Sequence, residues 1–327
     1  MKKRNCRERC RMEKSIELIN MVAEQVKKVV VGKDYIIDKI LTVILAKGHI
    51  LIEDIPGVGK TTLALAFAKA MDLKQNRLQF TPDVLPTDVV GYSILNNLGE
   101  EIYKPGAVMC NIFLADEINR TSSKTQSALL EVMEEGKVTV DQVTREVPKP
   151  FVVIATQNPI GSIGTQMLPE SQLDRFMVRL TIGYPDLRSE VNLLKDRRDK
   201  NPLDMVDKVI GEKELEKIQS LVEDVYIHDA LYEYMAWLAG ATRNHALIDL
   251  GVSPRGTIAL MNIVKASAFL KGRDYVIPDD IKGMFYDVVS HRIILSSKAK
   301  LNHIRVSELL EDILRQTKVP TVTRKNA

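Results

Sequence analysis

Apolar positions follow two rhythms along this chain. In the first half, short and nearly continuous apolar runs recur at 49–53, 77–80, 111–115, 151–156 and 177–182, each closed by turn or polar residues. Runs this short predict strands buried on both faces. Helices fit between them, at 60–71 and 122–135, and strands alternating with helices predict a parallel sheet covered on both sides, with ligands beyond the carboxyl ends of its strands. After Tyr184-Pro185-Asp186 the pattern turns almost wholly helical, with helices predicted at 188–200, 212–225, 229–243, 254–271 and 278–292. Ser253 before Pro254 reads as an N-cap with proline at the first helical position. Two domains are expected, an α/β unit over 15–185 and a helical unit over 186–327.

Composition narrows this picture without redirecting it. The 327 residues are 45% apolar and 27% charged, an ordinary globular composition that excludes disordered and fibrous classes. Lys and Arg number 46 against 43 Asp and Glu, a net charge of +3, so no global field favours nucleic acid or an anionic membrane. Cys6, Cys10 and Cys110 cannot build a disulfide framework, and no clustered His or Cys completes a zinc site. A reducing cytoplasm is the expected location. The basic residues Lys2, Lys3, Arg4, Arg7, Arg9, Arg11 and Lys14 precede no apolar core of a signal peptide, and no run is long enough to cross a membrane. Residues 1–14 are expected to form a solvated, flexible basic tail.

The chemistry is concentrated at strand ends. Asp54-Ile55-Pro56-Gly57-Val58-Gly59-Lys60-Thr61-Thr62 follows the first strand and opens a helix, the setting of a phosphate-binding P-loop. Gly57 and Gly59 let backbone N–H groups approach phosphate oxygens, Lys60 reaches the outer phosphates, and the Thr61 hydroxyl can ligate Mg²⁺. Asp54 stands where that motif has its first glycine, which limits the backbone conformations available there. A second strand, Ile112-Phe113-Leu114-Ala115, ends in Asp116-Glu117, the Walker B pattern. Asp116 would hold Mg²⁺ directly or through water, and Glu117 would polarise the water attacking the γ-phosphate. The next strand ends Ala155-Thr156-Gln157-Asn158-Pro159, placing the Asn158 amide to orient that water or sense the phosphate.

These runs, together with Ala115-Asp116-Glu117-Ile118-Asn119-Arg120, Gln79-Phe80-Thr81-Pro82-Asp83, Lys104-Pro105-Gly106 and Leu168-Pro169-Glu170-Ser171-Gln172-Leu173-Asp174-Arg175-Phe176, resemble the MoxR-type AAA+ ATPases from about Val30 to Ser253-Pro254-Arg255. An acidic first P-loop position also occurs in that family. The resemblance implies an AAA+ P-loop NTPase with a parallel five-stranded sheet of order 5-1-4-3-2, an all-α C-terminal lid, and an insert in the second helix within 81–109. It further implies that Arg175 is the arginine finger and Arg255 the sensor 2 residue. At the start of a lid helix the Arg255 guanidinium could reach the phosphates, and Arg175 supplied to a neighbouring subunit would stabilise charge developing in transfer. Val31 and Gly32 would border adenine.

The expected function is Mg²⁺-dependent ATP hydrolysis by a ring, expected to be a hexamer, that acts as a chaperone-like remodeller or assembly factor of partner proteins. A nucleic-acid motor is disfavoured by the near-neutral charge, and no Gly-Ala-Phe-Thr-Gly-Ala loop is present. A magnesium-chelatase-type motor and a nucleotide-gated scaffold with little turnover stay open as alternatives. By resemblance a protein bearing a von Willebrand factor A domain is the expected partner, with Tyr92, Ile94, Leu95 and Leu98 of the insert as the candidate contact region.

Overall fold

A computed structural model describes residues 2–54, 59–158, 168–184, 187, 188, 190, 191 and 202–320. The N-terminal segment enters as helix α1, Lys2–Lys27. Where the sequence predicts a loose basic tail over 1–14, the helix begins at residue 2. The cause lies downstream: Ser15, Ile19, Val22, Ala23 and Val26 are buried at three- and four-residue spacing, and Lys, Arg and Glu propagate the helix upstream at little cost. Helix α2, Asp34–Leu45, packs against α1.

The first strand, β1 (Ile50–Glu53), leads through the P-loop segment into α3 (Lys60–Ala70). Strand β2 (Gln75–Gln79) and the short helix α4 (Pro86–Val90) precede a hairpin of β3 (Gly91–Leu95) and β4 (Glu101–Pro105). Strand β5 (Ile112–Asp116) is followed by α5 (Ser123–Glu135), capped by the Ser122 hydroxyl, which accepts from the Thr125 N–H. A second hairpin, β6 (Lys137–Val140) with β7 (Val143–Glu146), leads to β8 (Val152–Gln157), the short helix α6 (Glu170–Leu173) and β9 (Val178–Leu180).

The five strands β2-β5-β8-β1-β9 form one sheet, all pairs parallel. Numbered among themselves they run 5-1-4-3-2, with β8 between the P-loop strand and the Walker B strand. Because side chains alternate across a strand, the sheet feeds two cores. Ile50, Ile52, Ile112, Leu114, Val152, Ile154, Val178 and Leu180 face α1, α2, α3 and the C-terminal helices. Leu51, Phe113, Ala115, Val153 and Ala155 face α5. Burial on both sides makes β5 and β8 legible as apolar runs, whereas β2, an edge strand, alternates exposed and half-buried residues.

The C-terminal helices are α7 (Glu212–Glu223), α8 (Asp229–Arg243), α9 (Pro254–Leu270), α10 (Pro278–Val289), α11 (Ser297–Leu301) and α12 (Val306–Gln316). Ser253 caps α9 as its sequence predicts, accepting from the Gly256 N–H at 3.0 Å. The helix predicted at 188–200 lies mostly outside the described residues. A buried ion pair of Lys39 and Asp287, 2.6 Å apart, joins α2 to α10. Helix α12 turns Leu309, Leu310 and Ile313 onto α8 and α10, so the lid extends past the last residues that its pattern identifies.

Candidate functional site

The site collects at the carboxyl ends of β1, β5 and β8. Gly59 caps α3 with φ +86°, a conformation that strains any side chain, and here the sequence requires glycine. Lys60, the first residue of α3, is buried and donates to the Asp54 carbonyl at 2.6 Å. Burial lowers its pKa, while the carboxylates of Asp54, Asp116 and Glu117 pull the other way. A buried ammonium at the positive end of a helix suits the binding of polyphosphate. Thr61 and Thr62 follow, half-buried on the first turn of the same helix. Pro56, Gly57 and Val58 lie outside the described residues.

Asp54 explains its own departure from the glycine motif. Its φ is not positive, so glycine is not required there. Its carboxylate instead accepts from the N–H groups of Ile182 and Gly183, at 2.7 and 2.6 Å, fastening the chain beyond β9 to the start of the P-loop. Lys33 fastens the same segment from the other side, donating to the carbonyls of Ile182 (2.7 Å) and Tyr184 (2.8 Å). Val31 and Gly32, the residues expected beside adenine, immediately precede this tie, and Gly32 has φ +73°.

Asp116 and Glu117 are both held. Thr156 at the end of β8 donates to Asp116 Oδ1 (2.7 Å) and accepts from the Glu117 N–H (2.8 Å). Arg77 donates to Asp116 Oδ2 at 2.7 Å. Glu117 occupies the left-handed region at φ +57°, uncommon for a side-chain-bearing residue, and the Thr156 bond secures it there. Its two oxygens accept from Asn158 Nδ2 (2.9 Å) and Arg120 Nη1 (2.7 Å). Burial raises the Glu117 pKa, but the bonds from Arg120 and Asn158 outweigh it and hold the carboxyl below its ordinary value. It is therefore ionised near neutrality, the form that a general base needs.

Each carboxylate oxygen has two lone pairs, so Asp116 keeps acceptor capacity beyond Arg77 and Thr156. Asp116 and the Thr61 hydroxyl are both hard oxygen donors, of the kind that binds Mg²⁺ together with phosphate. The residues present fit that ion.

Arg175 and Arg255 meet at acceptors carried by α5. Arg175 donates to the Leu130 carbonyl (2.9 Å) and to Glu134 Oε2, and Arg255 donates to Glu134 Oε1. Among the described residues neither shares a hydrogen-bond partner with Lys60, Asp116 or Glu117. The Arg175 segment is anchored by Asp174, whose carboxylate accepts from Arg292 Nε and the Ser253 hydroxyl, both at 2.7 Å. Arg292, almost fully buried, also donates to the carbonyls of Asp174 and Phe176. The sequence reading gives no site role to Thr156, Arg77, Arg120 or Glu134, nor to this Asp174–Arg292–Ser253 junction. Thr156 and Arg120 stand inside motifs already marked. Glu134 has no sequence signal, since it is one of several acids on α5.

Residues 49–178 match the family model described as ATPase family associated with various cellular activities (AAA), and residues 240–313 match an AAA lid domain. The chain is 46% identical over 304 residues to the uncharacterized protein YeaC of Bacillus subtilis, covering 93% of this chain and 95% of that one. It is 35% identical over 308 residues to the chaperone MoxR1 of Mycobacterium tuberculosis, covering 91% and 81%. A crystal structure of a candidate ATPase from Cytophaga hutchinsonii superposes with a TM-score of 0.90 at 39% identity, over 98% of this chain and all of that one. A parallel sheet of order 5-1-4-3-2, a lysine and paired acids at its strand ends, a helical lid and these relatives agree: the chain belongs to the MoxR family of AAA+ ATPases.

Proposed function

We propose that this protein hydrolyses ATP with Mg²⁺ as a ring, a hexamer by family resemblance, and uses the change of nucleotide state to remodel or assemble partner proteins. The observation that carries the reading is Glu117, held ionised between Asn158 and Arg120 beside Asp116 and the buried Lys60. Lys60 binds the outer phosphates, and Thr61 and Asp116 hold Mg²⁺, which supplies neutralising charge on the phosphate oxygens. Glu117 takes the proton of the attacking water while Asn158 fixes the carboxylate that receives it. Pairing of Arg175 and Arg255 on Glu134, apart from the partners of Lys60, favours both guanidiniums serving the nucleotide of a neighbouring subunit.

The chaperone-like role draws on the name of MoxR1 and on the exposed apolar residues Tyr92, Leu95, Leu98 and Ile102 of the β3–β4 hairpin, a surface suited to a protein partner. A von Willebrand factor A domain protein is the partner we propose, on resemblance. No described helix is long and apolar enough to cross a membrane, and Cys10 and Cys110 are free thiols, in keeping with the cytoplasm.

Lys60→Ala should abolish ATP binding. Glu117→Gln should bind ATP normally and hydrolyse it roughly 10² to 10⁴ times more slowly, the usual loss of a positioned base. Equilibrium binding of a fluorescent ATP analogue and steady-state phosphate release check the pair, and unchanged turnover in Glu117→Gln overturns the assigned role.

A further inference from the structure

The two arginines that this reading assigns to a neighbouring nucleotide converge on one carboxylate. Glu134 Oε1 accepts from Arg255 and Oε2 from Arg175. Two guanidiniums gathered so closely repel each other unless an anion lies between them. Arg175 has a second tie, to the Leu130 carbonyl of α5. Among the described residues the Arg255 side chain has only Glu134 as a hydrogen-bond partner. Beside the Ser253–Asp174 tie that joins the lid to the α/β body, Glu134 is thus the carboxylate that joins the two guanidiniums themselves.

The pairing leaves the working edges of both groups open. A guanidinium carries five N–H donors. Arg175 spends Nη1 on Leu130 and Glu134, and Arg255 spends Nη2 on Glu134, with no recorded partner among the described residues for the remaining nitrogens of either. Arg175 and Glu134 border an open cavity lined also by Ser127, Glu131, Glu135, Ser171 and Gln172. All three side chains are partly exposed, Glu134 and Arg255 at 42% and Arg175 at 29%, so the contact has little weight as a stabilising salt bridge. Its value is geometric: one carboxylate sets the spacing of two cations that must meet one phosphoryl group.

We propose that Glu134 is a positioning residue for ATP hydrolysis, holding Arg175 and Arg255 as a preorganised pair for the phosphates of the adjoining subunit. This rests on the reading that the two arginines act on that nucleotide. The test is a double-mutant cycle in the full chain, with Glu134→Gln and Arg255→Ala singly and together, read by single-turnover hydrolysis and by ATP-analogue binding. Glu134→Gln should lower the rate roughly tenfold to hundredfold, the range for loss of a hydrogen bond to a charged group, with nucleotide affinity and melting temperature unchanged. In the Arg255→Ala background the same change should lower the rate by less than about threefold, because the group it positions is gone. An equal loss in both backgrounds overturns the positioning role, and so does a full wild-type rate in Glu134→Gln when Arg175→Ala and Arg255→Ala are each inactive. If those two arginine variants themselves keep the wild-type rate, it is the underlying reading of the arginines that fails.

Discussion

Asp54 is where a single side chain redefines a familiar loop. In the usual P-loop the first position is glycine because the backbone turns tightly; here the backbone does not need it, and the carboxylate takes on a second task. One oxygen gathers two backbone N–H groups beyond β9, so the phosphate loop and the edge of the sheet are fixed relative to each other. Substituting alanine strands both donors, at a cost of roughly 1 to 3 kcal/mol for each that stays out of water. Asp54→Ala should therefore unfold at lower urea concentration, by about 2 to 4 kcal/mol in extrapolated stability. Asp54→Asn keeps an acceptor oxygen and should recover more than half of the loss. Equal losses in the two variants would show that the acceptor does not matter.

At the scale of elements, the C-terminal end of α5 carries Glu134, and its height above the sheet is set by His49. The Val153 N–H of β8 donates to His49 Nδ1 at 3.0 Å, which makes that nitrogen the acceptor and leaves Nε2–H to donate to the Met133 carbonyl of α5 at 2.9 Å. Burial lowers the His49 pKa to about 4, against a smaller upward pull from the Met133 carbonyl. The folded state thus disfavours the protonated ring, whereas the unfolded chain takes up a proton near pH 6.5. Stability from this residue is complete above about pH 6.5 and is lost as the pH falls toward 4. His291, lowered by burial and by Arg292, adds a term of the same sign. In His49→Gln the slope of stability against pH between 6 and 4.5 should shrink by about 1.4 kcal/mol per pH unit, one proton's worth. Urea titrations at several pH values measure it, and an unchanged slope would remove His49 from the account.

Legibility in the sequence follows the same division. Strands β1, β5 and β8 and the polar residues at their ends could be read because burial on both faces leaves an unbroken apolar run. Edge strand β2, Gln75–Gln79, hid its first residues because an edge tolerates polar side chains. The β6–β7 hairpin goes unread although Val138, Val140, Val143 and Arg145 alternate around Asp141 and Gln142, both with positive φ, since neither is a glycine that would mark the turn. The bonds of Glu134, Asp174 and Arg292 could not be read. Their partners lie 41, 79, 118 and 121 positions away in sequence, and only the packed lid brings them together.

For the whole molecule, the proposed ring requires the charges to divide between two faces. Lys60, Asp116 and Glu117 share one set of neighbours, while Arg175 and Arg255 share another on α5, tied into the lid through Asp174, Ser253 and Arg292. A head-to-tail ring brings unlike faces together and completes a site at every interface, whereas an isolated chain has both halves and no finished site. Such a site can be rebuilt from two broken subunits. Arg175→Ala chains keep the Lys60 half and Lys60→Ala chains keep the arginine half, so each alone should be nearly inactive. In a one-to-one mixture about a quarter of the interfaces of a head-to-tail ring would pair two intact halves, and ATPase activity should rise toward that fraction of wild type. Recovery should grow with total protein concentration, since it depends on assembly. A mixture as inactive as its components, or a monomeric fraction with full wild-type turnover, would place the arginines in their own subunit and remove the reason for a ring.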